Sequence, residues 1–189
     1  VPKDGYVTEI RRSDQNSLTT LNVSAVTSSS SSNDDEILFE VFECGSPQTV
    51  LVSGKARSEE WIALEVPNPK LWSPDVPYLY DLRVSYKNDD VLSYFGLRSF
   101  ELETFENNIM RPVLNGNQTL VYSGFLDQSW WPDGIYTAPT DEALAFDVQV
   151  LKTFGMNLIR LHQKINPERW YFAADVTGVI VFQDMVQKY

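Results

Sequence analysis

Cysteine is almost missing from this sequence: Cys44 stands alone, so no internal disulfide can form and the redox compartment is left open. Histidine is just as scarce, with His162 its one example. Positive charge is outnumbered, 15 Lys and Arg against 26 Asp and Glu, for a formal charge of −11. Such a chain repels phosphate backbones and anionic lipid, so neither nucleic acid nor a membrane surface is expected as a partner. No apolar run approaches the roughly 20 residues that cross a bilayer. No basic segment followed by an apolar stretch marks a signal peptide, which leaves the compartment, secreted or cytoplasmic, open. Residue 1 is Val rather than Met, as expected of a piece cut from something longer. No Gly-rich phosphate loop is visible, which counts against a doubly wound nucleotide-binding sheet. No cofactor and no metal are expected.

What is present is apolar and aromatic in amounts ample for a core: 43% hydrophobic and 13% aromatic residues exclude wholesale disorder. Up to about residue 102 the pattern has period two. Leu21, Val23 and Ala25 alternate with Asn22 and Ser24; Ile62, Leu64 and Val66 with Ala63 and Glu65; Tyr80, Leu82, Val84 and Tyr86 with Asp81, Arg83 and Ser85. Similar runs lie at residues 37–43, 49–53 and 91–95. About seven short strands, each with one apolar face, predict an immunoglobulin-like β-sandwich over residues 1–103. The serine-rich run at 28–34 reads as a solvated, flexible loop. Two triplets of the glycosylation type occur, Asn22-Val23-Ser24 and Asn117-Gln118-Thr119. Such triplets also arise by chance and say little about the compartment.

Over residues 104–189 the period changes. Asn115-Gly116 is a signal for a tight hairpin turn. An apolar run at 120–126 leads into a loop, and Thr140 follows as a helix N-cap with Asp141 and Glu142 behind it. Leu144, Val148, Leu151 and Phe154 recur at helical spacing, and Gly155 can close that helix. Residues 156–161 form a strand candidate. Asn166-Pro167 reads as an N-cap with proline in the first turn, Trp170, Tyr171 and Ala174 as a stripe, Gly178 as a stop, and 179–182 as a covered strand. The order β-α-β-α-β predicts three parallel strands and two helices, the start of a (β/α)8 barrel. Three strands cannot close a barrel, so open edges and self-association are expected.

Ligands of parallel α/β folds gather at the carboxyl ends of the strands. Those ends carry Asp127 with Trp130, Trp131 and Asp133 after the first strand, Arg160 and His162 on the second, and Asp184 after the third. Aromatic faces with carboxylates and an arginine suit a sugar. Each residue also has a plainer role. Arg160 can pair with an acid at the sheet end, His162 can be a core residue, and one of the two tryptophans can anchor the loop. Asp133 before Gly134 is an ordinary turn residue, and Asp184 can cap a later helix. Asp127 and Asp184 are the candidate carboxylate pair, which needs about 5–5.5 Å for retention or roughly 6.5–9.5 Å for inversion.

LWSPDVPYLYDLRV (71–84), YFGLRSFEL (94–102), Leu114-Asn115-Gly116, LDQSWWPDGIYTAPTDEA (126–143) and MNLIRLHQKINPERWYFAADVTGVIVFQDM (156–185) together resemble glycoside hydrolase family 2. This family includes β-galactosidases, β-glucuronidases and β-mannosidases. The resemblance covers nearly the whole chain. It implies a jelly-roll domain ahead, then the sandwich, then a (β/α)8 barrel that retains configuration at terminal β-linked sugars. It matches Arg160 to the family's arginine at the end of the second strand and His162 to the histidine of one branch, and puts Asp127 in a loop bordering the sugar. It also implies a glutamate acid/base in an Asn-Glu pair and a glutamate nucleophile. No Asn-Glu pair occurs here, so both catalytic carboxylates are expected beyond the chain end and the chain is expected to be inactive alone. A proline-containing loop is expected after Gln183-Asp184-Met185, where Val186-Gln187-Lys188-Tyr189 stand instead. The alternative from another class is a non-catalytic sandwich serving as an interaction or carbohydrate-binding module.

Overall fold

Alternating side chains give a strand one face to bury, and the period-two runs pair into antiparallel ladders on that principle. The structure, a computed structural model, describes residues 7–12, 19–28, 35–128 and 130–186. Residues 29–34 of the serine-rich run, Ser129 and residues 187–189 lie outside the described residues. Two units divide the chain, one comprising Val1–Leu71 and Tyr78–Gly116, the other Trp72–Pro77 and Asn117–Tyr189.

The first unit is built from β1 (Val7–Arg12), β2 (Thr20–Thr27), β3 (Ile37–Glu43), β4 (Val50–Ala56), β5 (Ile62–Glu65), β6 (Tyr80–Tyr86) and β7 (Asp89–Phe95). They form two sandwich-like antiparallel sheets, ordered β1-β2-β5 and β4-β3-β6-β7. Leu21, Val23, Phe39, Val41, Leu82 and Val84 belong to one apolar core shared by both sheets. The alternation on β6 is complete, with Tyr80, Leu82, Val84 and Tyr86 buried between half-exposed neighbours. Arg83 faces Glu40 across the ladder and donates to it from both Nε and Nη2. The strand β1 has no period-two signature, because a bulge between Val7 and Glu9 shifts its register. Its inward residues, Val7 and Ile10, are consequently three apart.

A ribbon of β8 (Phe100–Thr104) and β9 (Met110–Leu114) completes this unit, turning through Glu106–Asn108. Asn115 and Gly116 adopt φ of 53° and 69°, as a primed turn requires. They do not join two strands, however, since β9 already has β8 as its partner. The Asn115 carboxamide oxygen instead accepts from Ser99 N–H, and Asn115 N–H donates to Ser99 O, tying the turn back to the entrance of β8.

The second unit reads β10 (Gly124–Asp127), α1 (Asp141–Thr153), β11 (Leu158–Leu161), α2 (Glu168–Thr177) and β12 (Ile180–Gln183). The strands are parallel in the order β10-β11-β12, with Asp127, Leu161 and Gln183 in register. Thr140 caps α1 by accepting from Ala143 N–H. Gly155 ends it in the left-handed conformation, with Gly155 N–H bonding Lys152 O and Met156 N–H bonding Leu151 O. In α2 the cap position is Pro167 itself, not Asn166. Proline offers no side-chain acceptor and its ψ of 153° is extended, so the helix begins one residue later than expected, at Glu168. Gly178, at φ 79°, ends it. Ile159 and Leu161 are fully buried against Leu144, Val148 and Leu151 of α1 and Trp170 and Ala174 of α2. Segment Trp72–Pro77 packs within this unit: the buried Trp72 indole donates to Asp175 O at 2.8 Å, and Lys152 Nζ donates to Pro74 O.

A charged cluster lies on the helix side of the sheet. Asp127 is 6% exposed, and its Oδ1 takes Lys164 Nζ at 3.0 Å. Asp147, on the same stripe of α1 as Leu144 and Leu151, has its carboxyl pushed above the usual range by burial and then by the Asp127 charge, with Lys164 pulling the other way. One cation therefore serves two carboxylates. In the folded chain Asp147 holds its proton to higher pH than in the unfolded chain, so its ionisation costs stability as pH rises. Asp147→Asn is expected to stabilise the chain at neutral pH, and the gain should fade once the pH falls below the ordinary carboxylate range. Urea unfolding at both pH values reads this; a variant less stable at neutral pH contradicts it.

The two helix-ending glycines make a second test. A Cβ on Gly155 meets open space, whereas one on Gly178 would stand 2.3 Å from Pro74 O. Gly155→Ala should cost only the roughly 1–2 kcal/mol of a left-handed L-residue. Gly178→Ala should cost clearly more in the same urea unfolding experiment, and equal losses would contradict the close approach.

Candidate functional site

Parallel pairing brings the carboxyl ends of β10, β11 and β12 to one end of the sheet, and strand parity sorts the residues there between its two faces. Asp127, Leu161 and Gln183 share the helix side. Arg160 and His162, which flank Leu161, and Asp184, which follows Gln183, lie on the opposite face. Burial of Ile159 and Leu161 thus sends Arg160 and His162 outward.

Arg160 Nε donates to both Asp184 oxygens at 3.1 Å, and Nη2 stands 3.0 Å from Oδ2. This hydrogen bonding raises the guanidinium pKa further. The fork is the plainer role foreseen for Arg160, yet the pair also walls an open hollow of about 560 Å³ with His162, Gln163, Gln183 and Met185. A second hollow of about 490 Å³ is lined by Gln128, Trp130, Tyr136, His162, Gln163 and Lys164. His162 and Gln163 belong to both. The Gln128 amide nitrogen lies 2.6 Å from His162 Nδ1, so an N–H donated there leaves the proton of the neutral ring on Nε2.

The tryptophans divide the work of the loop. Trp131 is partly buried against the α1–α2 core and closes a small turn by exchanging backbone hydrogen bonds with Ile135. Asp133 is exposed within that turn, beside Gly134, where a Cβ would come 2.1 Å from Thr137 O. Trp130 is 55% exposed and its ring stands 4.3 Å from that of Tyr136, itself 64% exposed. Two aromatic faces are therefore offered beside the second hollow.

Arg160, His162, Asp184 and Trp130 are brought around these hollows. Trp131 and Asp133 shape the loop. Asp127 is on the other face with Lys164, so it and Asp184 each hold their own cation on opposite sides of the sheet and do not face one another as an acid pair. Among the described residues no group of three or more His, Cys, Asp or Glu stands close enough to hold a metal ion.

Gln128, Tyr136, Gln163, Lys164 and Gln183 are among the lining residues that escaped the sequence, with Met185 and Val186 beside them. Lys164 is the instructive one. Two residues beyond His162, it should share the outward face, but Gln163 adopts φ 54° and turns the chain so that Lys164 reaches Asp127. Gln183 then fixes the turn, its Nε2 donating to Lys164 O and Asp184 O while its Oε1 accepts from Tyr171 Oη. Only the Gln-Lys dipeptide after the histidine hinted at this.

Comparison with known proteins relates the chain to a family. The model for Glycosyl hydrolases family 2 matches residues 6–98. A β-galactosidase of Lactococcus lactis subsp. lactis is 28% identical over 125 residues, 63% of this chain and 12% of that protein. A putative β-glucuronidase of Formosa agariphila is 28% identical over 135 residues, 69% of this chain and 12% of the other. The chain thus spans about 12% of the length of these curated relatives. Among solved structures, a Faecalibacterium prausnitzii β-glucuronidase superposes with a TM-score of 0.73 at 21% identity, covering 94% of this chain and 27% of that one. A Ruminococcus gnavus β-glucuronidase superposes at 0.72 and 17% identity, covering 96% and 30%. At such identities the superpositions speak for the fold alone. The family model and the related sequences both relate this chain to glycosyl hydrolases family 2.

Proposed function

We propose that the chain is part of a retaining glycoside hydrolase that acts on terminal β-linked sugars, with carbohydrate as its partner. Residues 1–103 serve as an immunoglobulin-like sandwich, and residues 104–189 supply the first three strands and two helices of a (β/α)8 barrel. Trp130, Arg160, His162 and Asp184 contact the sugar. Trp131 and Asp133 hold the rim, and Asp127 supports it from beneath through Lys164. The observation that carries this reading is the grouping of Arg160, His162 and Asp184 beside the exposed Trp130–Tyr136 pair at the carboxyl ends of parallel strands.

The reading does not extend to bond cleavage by these residues alone. Asp127 and Asp184 are each bound to a cation on opposite faces, and no Asn-Glu pair occurs in the sequence. The chain alone is expected to be inactive, since positioning groups without an acid and a nucleophile lack the main catalytic contributions. By itself it acts as a carbohydrate-binding module, a second reading favoured by the exposed aromatic pair. The outer strands β10 and β12, with Phe125 and Leu126 exposed, favour self-association.

Charge narrows the sugar. Arg160 is paired with Asp184, and Lys164 has Asp127 bonded to it and Asp147 nearby, so among the described residues around the hollows no surplus cation awaits a uronate carboxylate. A neutral pyranose fits better.

Saturation-transfer NMR on the chain with methyl β-galactoside and methyl β-glucuronide tests both claims. Galactoside binding is expected, weakened about tenfold by Trp130→Ala, the equivalent of roughly 1.4 kcal/mol. The glucuronide should bind at least about tenfold more weakly than the galactoside. Binding of neither sugar would remove the site; a preference for the glucuronide would remove only the charge argument. Nitrophenyl β-glycosides should not be turned over.

A further inference from the structure

Two Asn-X-Ser/Thr triplets look equivalent in the sequence, and the fold separates them. Asn22 lies on β2, the middle strand of its sheet, in register with Ala63 of β5, while Val23 and Ser24 pair with β1. Asn22 is half-buried, and Ser24 is fully buried with its Oγ lacking a hydrogen-bond partner among the described residues. A strand held on both sides cannot bend to present the Asn22 carboxamide, and a glycan there would have to be accommodated where the fold closes over Ser24.

Asn117 is in the opposite situation. Asn117, Gln118 and Thr119 are all exposed, between β9 and β10, directly after the left-handed Asn115-Gly116 pair. Thr119 N–H donates to Asn117 Oδ1 at 3.0 Å, and the Thr119 hydroxyl donates to the same oxygen at 2.8 Å. This is an Asx turn, closed by the residue that the acceptor triplet requires at its third position. Two hydrogen bonds onto Oδ1 draw electron density from the amide nitrogen, which makes its N–H more acidic and leaves Nδ2 pointing away from the turn.

We propose that Asn117 is the N-glycosylation acceptor of this chain and that Asn22 is not. In the reaction Nδ2 forms a C–N bond to the anomeric carbon of a lipid-pyrophosphate-linked oligosaccharide. The C–O bond to pyrophosphate breaks, the lipid pyrophosphate leaves with the bonding pair, and one amide proton passes to a base of the transferase. The glycan then stands on an exposed turn and displaces no core residue.

The test is expression of the full chain behind a cleavable signal peptide in eukaryotic cells, scored on total cell protein as well as on the medium. Scoring both captures chain that fails to leave the cell. Peptide mapping after enzymatic release of N-glycans locates the attachment. One glycan is expected, at Asn117, lost in Asn117→Gln and Thr119→Ala but retained in Thr119→Ser and Asn22→Gln. An unmodified Asn117, or a glycan on Asn22 in folded, secreted chain, overturns the proposal.

Discussion

Ile159 and Leu161 are the residues on which the arrangement of the second unit turns. Burying two such side chains is worth roughly 3–6 kcal/mol together, whereas the solvent-screened Arg160–Asp184 pair adds little. The apolar pair therefore decides which face of β11 meets the helices, and Arg160 and His162 take the face that remains. Parallel pairing with β10 and β12 then carries the choice sideways. Gln128, His162 and Asp184 emerge on one side, Asp127 and Gln183 on the other.

The polar side of the same arrangement is the buried Asp127–Lys164 pair. Removing one partner of such a pair costs about 3–5 kcal/mol, because the other charge is left without compensation. Here the cation belongs to the turn after β11 and the carboxylate to the end of β10, so the pair locks neighbouring strand ends together. Gln183 adds the third strand by bonding the Lys164 carbonyl. The floor beneath His162 and Gln163 is thus pinned from all three strands, as a binding surface requires if its side chains are to stay in place.

Much of this was legible in the sequence where a single rule governed. β6 buries alternate residues as its pattern indicates, Thr140 caps α1, and Gly155 and Gly178 end the two helices, whereas on β2 the polar Ser24 is buried together with Val23 and Ala25. The sequence failed to read through wherever a local feature overrode the period. The bulge hid β1, Pro167 displaced the expected cap of α2, and the Asn115-Gly116 turn bonded back to Ser99 instead of opening a hairpin. Lys164 was invisible as a site residue because one left-handed backbone at Gln163 reversed its side. The tryptophan loop was half legible: two adjacent indoles announce one packed and one outward ring, but the partner of the outward one, Tyr136, follows from a turn that pairing alone does not reveal.

The likeness to the family accords with these features but does not replace them, since the chain spans about 12% of the curated relatives. What the chain contributes is a surface whose facing is set by β11. Thiol labelling along that strand tests this most directly, with Cys44→Ser as background and cysteine placed singly at 159, 160, 161 and 162. Cysteines at 160 and 162 should react rapidly in the folded chain and those at 159 and 161 only on unfolding. Rapid labelling at 159 or 161, with 160 and 162 protected, would contradict the account.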